Sequence, residues 1–539
     1  MSTDGPPPGA KAPSGGSAVH AVTSVRASYD VAVVGFGPSG AVAAALLGQA
    51  GLRVLVIDKS REVYDKPRAV AMDHEIMRTL QSLGVAQAVA RHTEAFSASE
   101  HFGADGQMIR RLDMLAPPYP MGWTPSMVFL QPPVEKIIRA RVAELPSVEV
   151  RLGVELIGLT QDAGGVQLTV RGDDGVEKIE SASYVIGCDG ASSSVRRLSG
   201  ITLEDLGFDE PWLVVDVLAN AQGLAKLPKA SAQFCEPARP TTFIIGTGAH
   251  RRWEIMLLPG EDPRQMEDEA QVWKLLARWI APEDAQLWRR ASYRFHALLA
   301  SDWRKGRVFL AGDAAHQQPP FLGQGMCQGL RDVGNLAWKL TAVLAGRASD
   351  ALLDSYGQER GAHVRALTGT IQGIGRTICE RDPVAARARD ARLLAEQGGS
   401  VKSVPRQDLI PGLSTGYLSS QAHAARGTLF PQPLVLQGGE TVLMDEVLGR
   451  GWRVLLGTGA QAWSQHSFDA THLQETQGVV GAWFARHACA AAIVRPDHYV
   501  YGVASTEQEL AAQLAELALA IAPHTAPHAA PHTAFISST

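Results

Sequence analysis

A chain of 539 residues, 45% hydrophobic and 19% charged, has the composition of a soluble globular protein and room for about three or four domains. Its formal net charge of −5 gives no electrostatic case for nucleic acid or an anionic membrane as partner. The five cysteines (Cys188, Cys235, Cys327, Cys379 and Cys489) are odd in number and form no C-x-x-C pair, which argues against a disulfide framework or a metal site and for a reducing, cytoplasmic compartment.

Residues 1–27 are rich in Pro, Gly, Ser and Ala, lack the compact apolar core of a signal peptide, and read as a disordered leader. Residues 31–52 contain no charge and are long enough for a membrane span. The glycines argue against that reading. Gly35, Gly37 and Gly40 are spaced G-x-G-x-x-G with Pro38 among them, after the short buried strand "VAVV" and before a helix of small residues. A second strand, "RVLVID", ends in Asp58. In such a unit Gly35 permits a tight turn, Gly37 lets a pyrophosphate approach the backbone, and Gly40 lets helix and strand pack closely. The N–H groups at the helix start face the phosphates, and the acid accepts from ribose hydroxyls. Residues 28–60 are therefore expected to bind a dinucleotide, NAD or FAD.

Helical patterns follow at 74–90 and near 132–144, then short strands over 148–186. "YVIGCDG" (184–190) reads as a buried strand entering a turn at Asp189-Gly190, which by itself is an ordinary Asp-Gly turn. Residues 205–300 read as a separate sheet, and "RVFLAGDAAH" (307–316) as a buried strand followed by a helix start. There Asp313 can accept from sugar-alcohol hydroxyls, cap the helix, or do both. Helices are expected near 326–345 and 351–378, a linker near 400–415, and then an α/β unit closed by a helix at 506–521. The Ala-Pro-His stretch 522–534, with His524, His528 and His532, reads as a solvated tail.

Three motifs in this order carry a resemblance: the glycine turn, "GCDGASSSVR", and "LAGDAAHQQPPFLGQGMCQGLRDVGNLAWKL". The chain resembles the class A single-component flavoprotein aromatic hydroxylases. "DKPRAVAMDHEIMRTLQSLG" (65–84), "FLQPPVEKIIR" (129–139), "HRRWEIMLLPGE" (250–261) and "DALLDSYGQER" (350–360) bring it nearest to the 3-(3-hydroxyphenyl)propionate/3-hydroxycinnamate hydroxylases, over about residues 29–505.

The resemblance implies an α/β fold. A Rossmann-like FAD-binding domain (28–204 and 300–400, with substrate-domain segments near 91–130) would carry an inserted β-sheet substrate domain (205–299). A thioredoxin-like α/β domain without redox cysteines (410–521) and a tail (522–539) would follow. It implies that FAD is held by Gly35, Gly37, Pro38, Gly40, Asp58, Lys59, Arg68, Gln131, Asp189, Gly190, Gly312, Asp313, Pro319, Gly323 and Gly325. NADH or NADPH would visit transiently. The chemistry implied is ortho-hydroxylation of a phenolic acid by O2 through a C4a-hydroperoxyflavin, with a backbone carbonyl near Pro319-Pro320 meeting the phenol. Pro320 and His316 are the candidate catalytic residues, His316 as a proton relay that has a structural role as its alternative. Partners would be the substrate and O2, with no metal, no nucleic acid, no membrane, and a homodimer as the compatible assembly. The substrate's carboxylate needs a cation, for which Arg239, Arg251 and Arg252 are candidates, with Tyr293 and His296 beside them. Alternatives are the same chemistry on resorcinol, salicylate or a polyketide phenol, a non-catalytic flavin-binding protein, or a membrane-bound dehydrogenase.

Overall fold

The computed structural model describes residues 27–521, apart from 458, 459, 461, 462, 464–467 and 470–473. The leader up to residue 26 and the Ala-Pro-His tail lie outside the described residues.

The strand Tyr29–Val34 sits inside an eight-stranded sheet, parallel to Val54–Asp58 on one side and Glu177–Gly187 on the other. Val308–Leu310 adds a further parallel strand beyond Glu177–Gly187. Val31, Ala32 and Val33 are fully buried, as a strand covered on both faces requires, and this explains the absence of charge. The helix Pro38–Gln49 follows, 12 residues long. Among the described residues no helix is long and apolar enough to cross a membrane.

Two expectations change here. The helical pattern at 74–90 is two helices, His74–Ser82 and Ala86–Ala90, separated where Gly84 takes φ +78°. The stretch after Val308–Leu310 does not open a long helix. It makes a 3-10 turn, Gly312–Ala314, and a two-residue strand, His316–Gln317, and the long helix begins only at Gly325. Gly312 has φ +62°, and Pro319-Pro320 lack the N–H donors a helix needs, so the segment cannot run on as one. The helix that follows, Asp354–Cys379, lies near its expected place.

A second sheet has nine strands. Leu203–Ala219 lies between Ala285–Ala300 and His250–Met256, and the sheet continues through Thr241–Ile245 and Ser231–Phe234. It then recruits Ser99–Phe102, Met108–Asp113 and finally Ser403–Pro405. Within the segment expected as a linker, Ser403–Pro405 is thus an edge strand of this sheet. Side chains alternate across it. Leu213, Val215, Val217, Trp253 and Ile255 enter one apolar core, while Asp216, Arg252 and Glu254 lie at the alternate positions.

The C-terminal unit pairs Arg453–Leu456 with Ala491–Val494 and that strand with Val500–Ala504, all antiparallel. The helices Val479–His487 and Glu507–Ile521 complete its α/β pattern. It is joined to the rest by buried charge: Arg78 to Asp445 at 2.6 Å, and Arg495 to Glu359 at 2.7 Å.

Candidate active site

A cavity of about 520 Å³ runs between the two large sheets. The glycine turn forms one end. At Gly35, with φ +98°, a Cβ would stand 2.4 Å from the Cys188 carbonyl oxygen, and at Gly40 a Cβ would stand 1.9 Å from the Gly35 oxygen. At Gly37 a Cβ would meet nothing within 4 Å, so the backbone there faces open space. The helix starting at Pro38 has no side chain capping its first turn, which leaves its N–H groups and positive dipole end for a ligand. Gly35, Gly37 and Pro38 line the cavity, and Gly40 packs behind them.

Asp58 lines the cavity with Lys59. Its Oδ2 accepts from Phe36 N at 2.6 Å and its Oδ1 from Ser60 N at 2.7 Å, so it fixes the turn as well as facing it. Asp189 and Gly190 also line the cavity. The Asp189 carboxylate is held by Ser193 Oγ (2.5 Å), Ser194 N (2.7 Å) and Val195 N (3.1 Å), which makes it an anchor for the short helix Ser194–Leu198. Arg196, on that helix, donates to the carbonyls of Ala191 and Ala314 and ties this motif to the Gly312 turn.

Asp313 points its carboxylate into the cavity and has no hydrogen-bond partner among the described residues. Its side chain is open to the cavity, and desolvation by the surrounding walls raises its pKa, against weaker attraction from His316 and Arg68. Gly312 stands behind it, against Ser39 Oγ. Pro320, Gly323 and Gly325 line the cavity, while Pro319 is buried beside them. The helix Gly325–Leu344 starts there without a side-chain cap, a second uncapped N-terminus at the same space.

His316 does not line the cavity. Its ring stacks on Trp303, and its Nε2 lies 2.7 Å from Asp332 Oδ2. Asp332 also accepts from Gly312 N (2.9 Å) and Arg360 Nε (2.8 Å). The histidine therefore braces the Gly312 turn from behind, a position that fits the structural alternative rather than a relay to bound substrate.

Arg68 and Gln131 line the cavity. Gln131 Oε1 accepts from Ala69 N at 2.8 Å, and the Arg68 guanidinium lies 5.1 Å from the Tyr64 ring centre. Of the candidates for the substrate's carboxylate, only Arg252 lines the cavity. It is buried against Asp216 (2.7 Å) and donates to the carbonyls of Pro67 and Arg68. Arg239 pairs with Glu261 at 2.6 Å, Arg251 binds the carbonyls of Gly248 and His250, Tyr293 sits on Arg289, and His296 faces Asp209 at 3.2 Å.

Of the six charged cavity residues that sequence reading missed (Glu62, Glu135, Arg139, Glu155, Glu254 and Arg406), Glu254 and Arg406 are buried without an ion pair among the described residues. Glu254 is buried and has no hydrogen-bond partner among the described residues. Burial pushes its carboxyl up to about 7, against the attraction of Arg252. Arg406 follows the edge strand Ser403–Pro405 and reaches the cavity beside Phe96. No local pattern marks either one, although the alternation of the strand "HRRWEIM" puts Arg252 and Glu254 on one face.

The two uncapped helix starts, the side-chain-free approach at Gly37 and the unpartnered Asp313 carboxylate supply donors for phosphates and an acceptor for hydroxyls. These are the groups a flavin dinucleotide needs. Comparison with known proteins agrees. The FAD binding domain family matches residues 28–370, and the HcaD C-terminal domain family matches 457–520. A probable NADH-specific resorcinol 4-hydroxylase of Rhodococcus jostii (strain RHA1) is 38% identical over 92% of this chain and 96% of that protein. A 3-(3-hydroxy-phenyl)propionate/3-hydroxycinnamic acid hydroxylase of Mycobacterium sp. (strain KMS) is 34% identical over 88% of each chain. The crystal structure of aklavinone-11 hydroxylase with FAD and aklavinone superposes with a TM-score of 0.76, at 25% identity, over 92% of this chain and 99% of that one. The chain belongs to the class A flavoprotein aromatic hydroxylases, FAD-dependent monooxygenases that take their electrons from a nicotinamide.

Proposed function

We propose that this enzyme hydroxylates a meta-substituted phenolic acid, 3-(3-hydroxyphenyl)propionate or its 3-hydroxycinnamate analogue, ortho to the hydroxyl. Phenol, O2, NAD(P)H and a proton give the 2,3-dihydroxy product, NAD(P)+ and water. The observation that supports this is the continuity of the cavity. It runs from Gly37 past Asp313 and Pro320 to the polar face of the nine-stranded sheet, so that cofactor and phenol would share one continuous space.

When bound, FAD would pass the nicotinamide's electrons to O2 and so supply the activated oxygen. The protein's residues hold and orient. Gly37 and the Pro38 helix start receive the pyrophosphate, and Asp313 accepts from the sugar-alcohol chain. The Pro319-Pro320 segment has main-chain carbonyls and no N–H of its own; Pro320 O accepts from Gly323 N at 2.7 Å and keeps a second lone pair, so a phenol hydroxyl can donate there. A hydroxyl that donates its proton makes its ring a stronger nucleophile. Walls of Phe96, Phe321 and Leu322 keep water from the reacting carbon.

A dihydric phenol such as resorcinol is the second reading, and Glu254 favours it. Its unpartnered carboxyl faces the same cavity and can meet a second hydroxyl. The test is NADH oxidation by the purified yellow protein, with 3-(3-hydroxyphenyl)propionate or resorcinol added, alongside product analysis. Strong stimulation by the acid with a 2,3-dihydroxy product supports the first reading. A trihydroxy product from resorcinol, with the acid inert, supports the second. Hydrogen peroxide as the sole product from both overturns each.

A further inference from the structure

A buried guanidinium cannot shed its proton, so it needs an anion or a full set of acceptors. Arg78, Arg331, Arg360 and Arg495 each meet a buried carboxylate. Arg406 is buried too, yet no carboxylate lies within ion-pair distance of it among the described residues. One of its nitrogens, Nη2, donates to Leu322 O at 2.9 Å. Its guanidinium carbon lies 4.3 Å from the centre of the Phe96 ring. Asp73 attracts it, but the Asp73 carboxylate is committed to Arg331 at 2.5 Å. Burial without a counter-ion pushes the Arg406 pKa down to about 10. The group lines the cavity, and the Phe96 ring fixes the plane of its fork.

We propose that Arg406 binds the carboxylate of the substrate's side chain and sets the enzyme's preference for a phenolic acid over a neutral phenol. This rests on the hydroxylase reaction proposed above. The planar fork suits two parallel hydrogen bonds to a carboxylate, and only one of its nitrogens is occupied by protein. The bond to Leu322 O belongs to the same 3-10 turn, Pro320–Leu322, that follows the main-chain site proposed for the phenol. One short turn thereby sets the acid anchor relative to the phenol anchor. The residue opens the 3-10 turn Arg406–Leu409 directly after the edge strand Ser403–Pro405, outside the inserted region that makes most of the sheet, and inside that region Arg239 and Arg252 are already paired with carboxylates.

The experiment is steady-state kinetics of the FAD-loaded enzyme with 3-(3-hydroxyphenyl)propionate and with 3-ethylphenol, which has the ring without the carboxylate. Arg406→Gln is expected to raise KM for the acid, relative to KM for 3-ethylphenol, by about 100-fold, with the loss in KM rather than kcat. Arg406→Lys keeps the charge but not the fork and should fall between. An equal rise for both phenols, or loss of bound FAD in Arg406→Gln, overturns the assignment. Should Arg406→Gln fail to fold, the unmodified enzyme decides. 3-Phenylpropionate should then inhibit at least about ten-fold more tightly than 3-phenylpropanamide. Equal inhibition overturns the assignment. An enzyme that hydroxylates 3-ethylphenol without favouring the acid removes the role of Arg406 alone. One that hydroxylates neither phenol removes the reaction, and Arg406 with it.

Discussion

Arg495 of the C-terminal unit donates from Nη2 to Glu359 Oε2 at 2.7 Å, and neither side chain has any solvent exposure. Lys339 reaches the same oxygen at 2.8 Å. Burial alone would raise the Glu359 pKa, but Arg495 and Lys339 outweigh it and hold the carboxyl at about 2. Removing one partner strands the others in a dry interior. Glu359→Gln or Arg495→Met should cost about 3–5 kcal/mol of unfolding free energy, read by denaturant titration. A folded-state pKa below the ordinary value of 4.5 gives stability that is full above pH 4.5 and lost as the pH falls toward 2. Glu359→Gln should lack that part of the acid loss.

Glu254 has the opposite sign. Its folded-state pKa is raised from 4.5 to about 7 by burial, opposed by Arg252 and Arg289 and reinforced by Asp216. The folded protein holds this proton between pH 4.5 and 7 where the unfolded chain does not. The stability it gives is full below 4.5 and declines as the pH rises through 7. Glu254→Gln should remove that decline, so the variant gains about 2–3 kcal/mol on the parent between pH 5 and 8. Melting curves of holoenzyme and variant across that range measure it. Parallel curves would show that Glu254 is ionised throughout.

Gly35 and Gly37 separate folding from binding. Gly35→Ala places a Cβ 2.4 Å from a main-chain oxygen at φ +98°, and should lower stability by a few kcal/mol. Gly37→Leu meets no protein atom within 4 Å of its Cβ and should fold, yet purify colourless because its side chain enters the pyrophosphate's space. Full FAD occupancy in Gly37→Leu, read from the flavin absorbance, would refute the placement of the dinucleotide.

Asp313→Ala removes an acceptor that faces the cavity with no protein partner. The FAD dissociation constant should rise by about 5- to 150-fold, equal to 1–3 kcal/mol for a hydrogen bond to a charged group. Fluorescence titration of the flavin-stripped protein reads it directly, and an unaltered constant would mean that Asp313 does not touch the cofactor.

The dinucleotide end was legible because its constraints are local. A turn with φ +98° at Gly35 and a helix position, Gly40, where a Cβ would stand 1.9 Å from the Gly35 oxygen demand glycine at fixed spacing, and so leave a pattern in the chain. The far wall left none. Ser99, Ser231, Glu254 and Arg406 come from four separate strands or turns, brought together by pairing between residues over 100 apart in places. Which arginine stays free of a carboxylate is likewise a three-dimensional outcome. Arg239 is taken by Glu261 and Arg252 by Asp216, and nothing in their local sequence records it. For His316 the sequence leaves a proton relay and a structural role both open, and the turn that sends its ring to Asp332 fits the structural one.

The place of Tyr29–Val34 between Val54–Asp58 and Glu177–Gly187 bears on how the chain is made. During synthesis the first neighbour emerges almost at once, and the second only after about 120 more residues. Until then one edge of an apolar, valine-rich strand stands open on the ribosome, a template for pairing with another nascent chain. Slow translation or truncation between residues 60 and 177 should therefore drive the polypeptide into inclusion bodies, and chaperone supply should govern the yield of this enzyme more than the stability of its finished form.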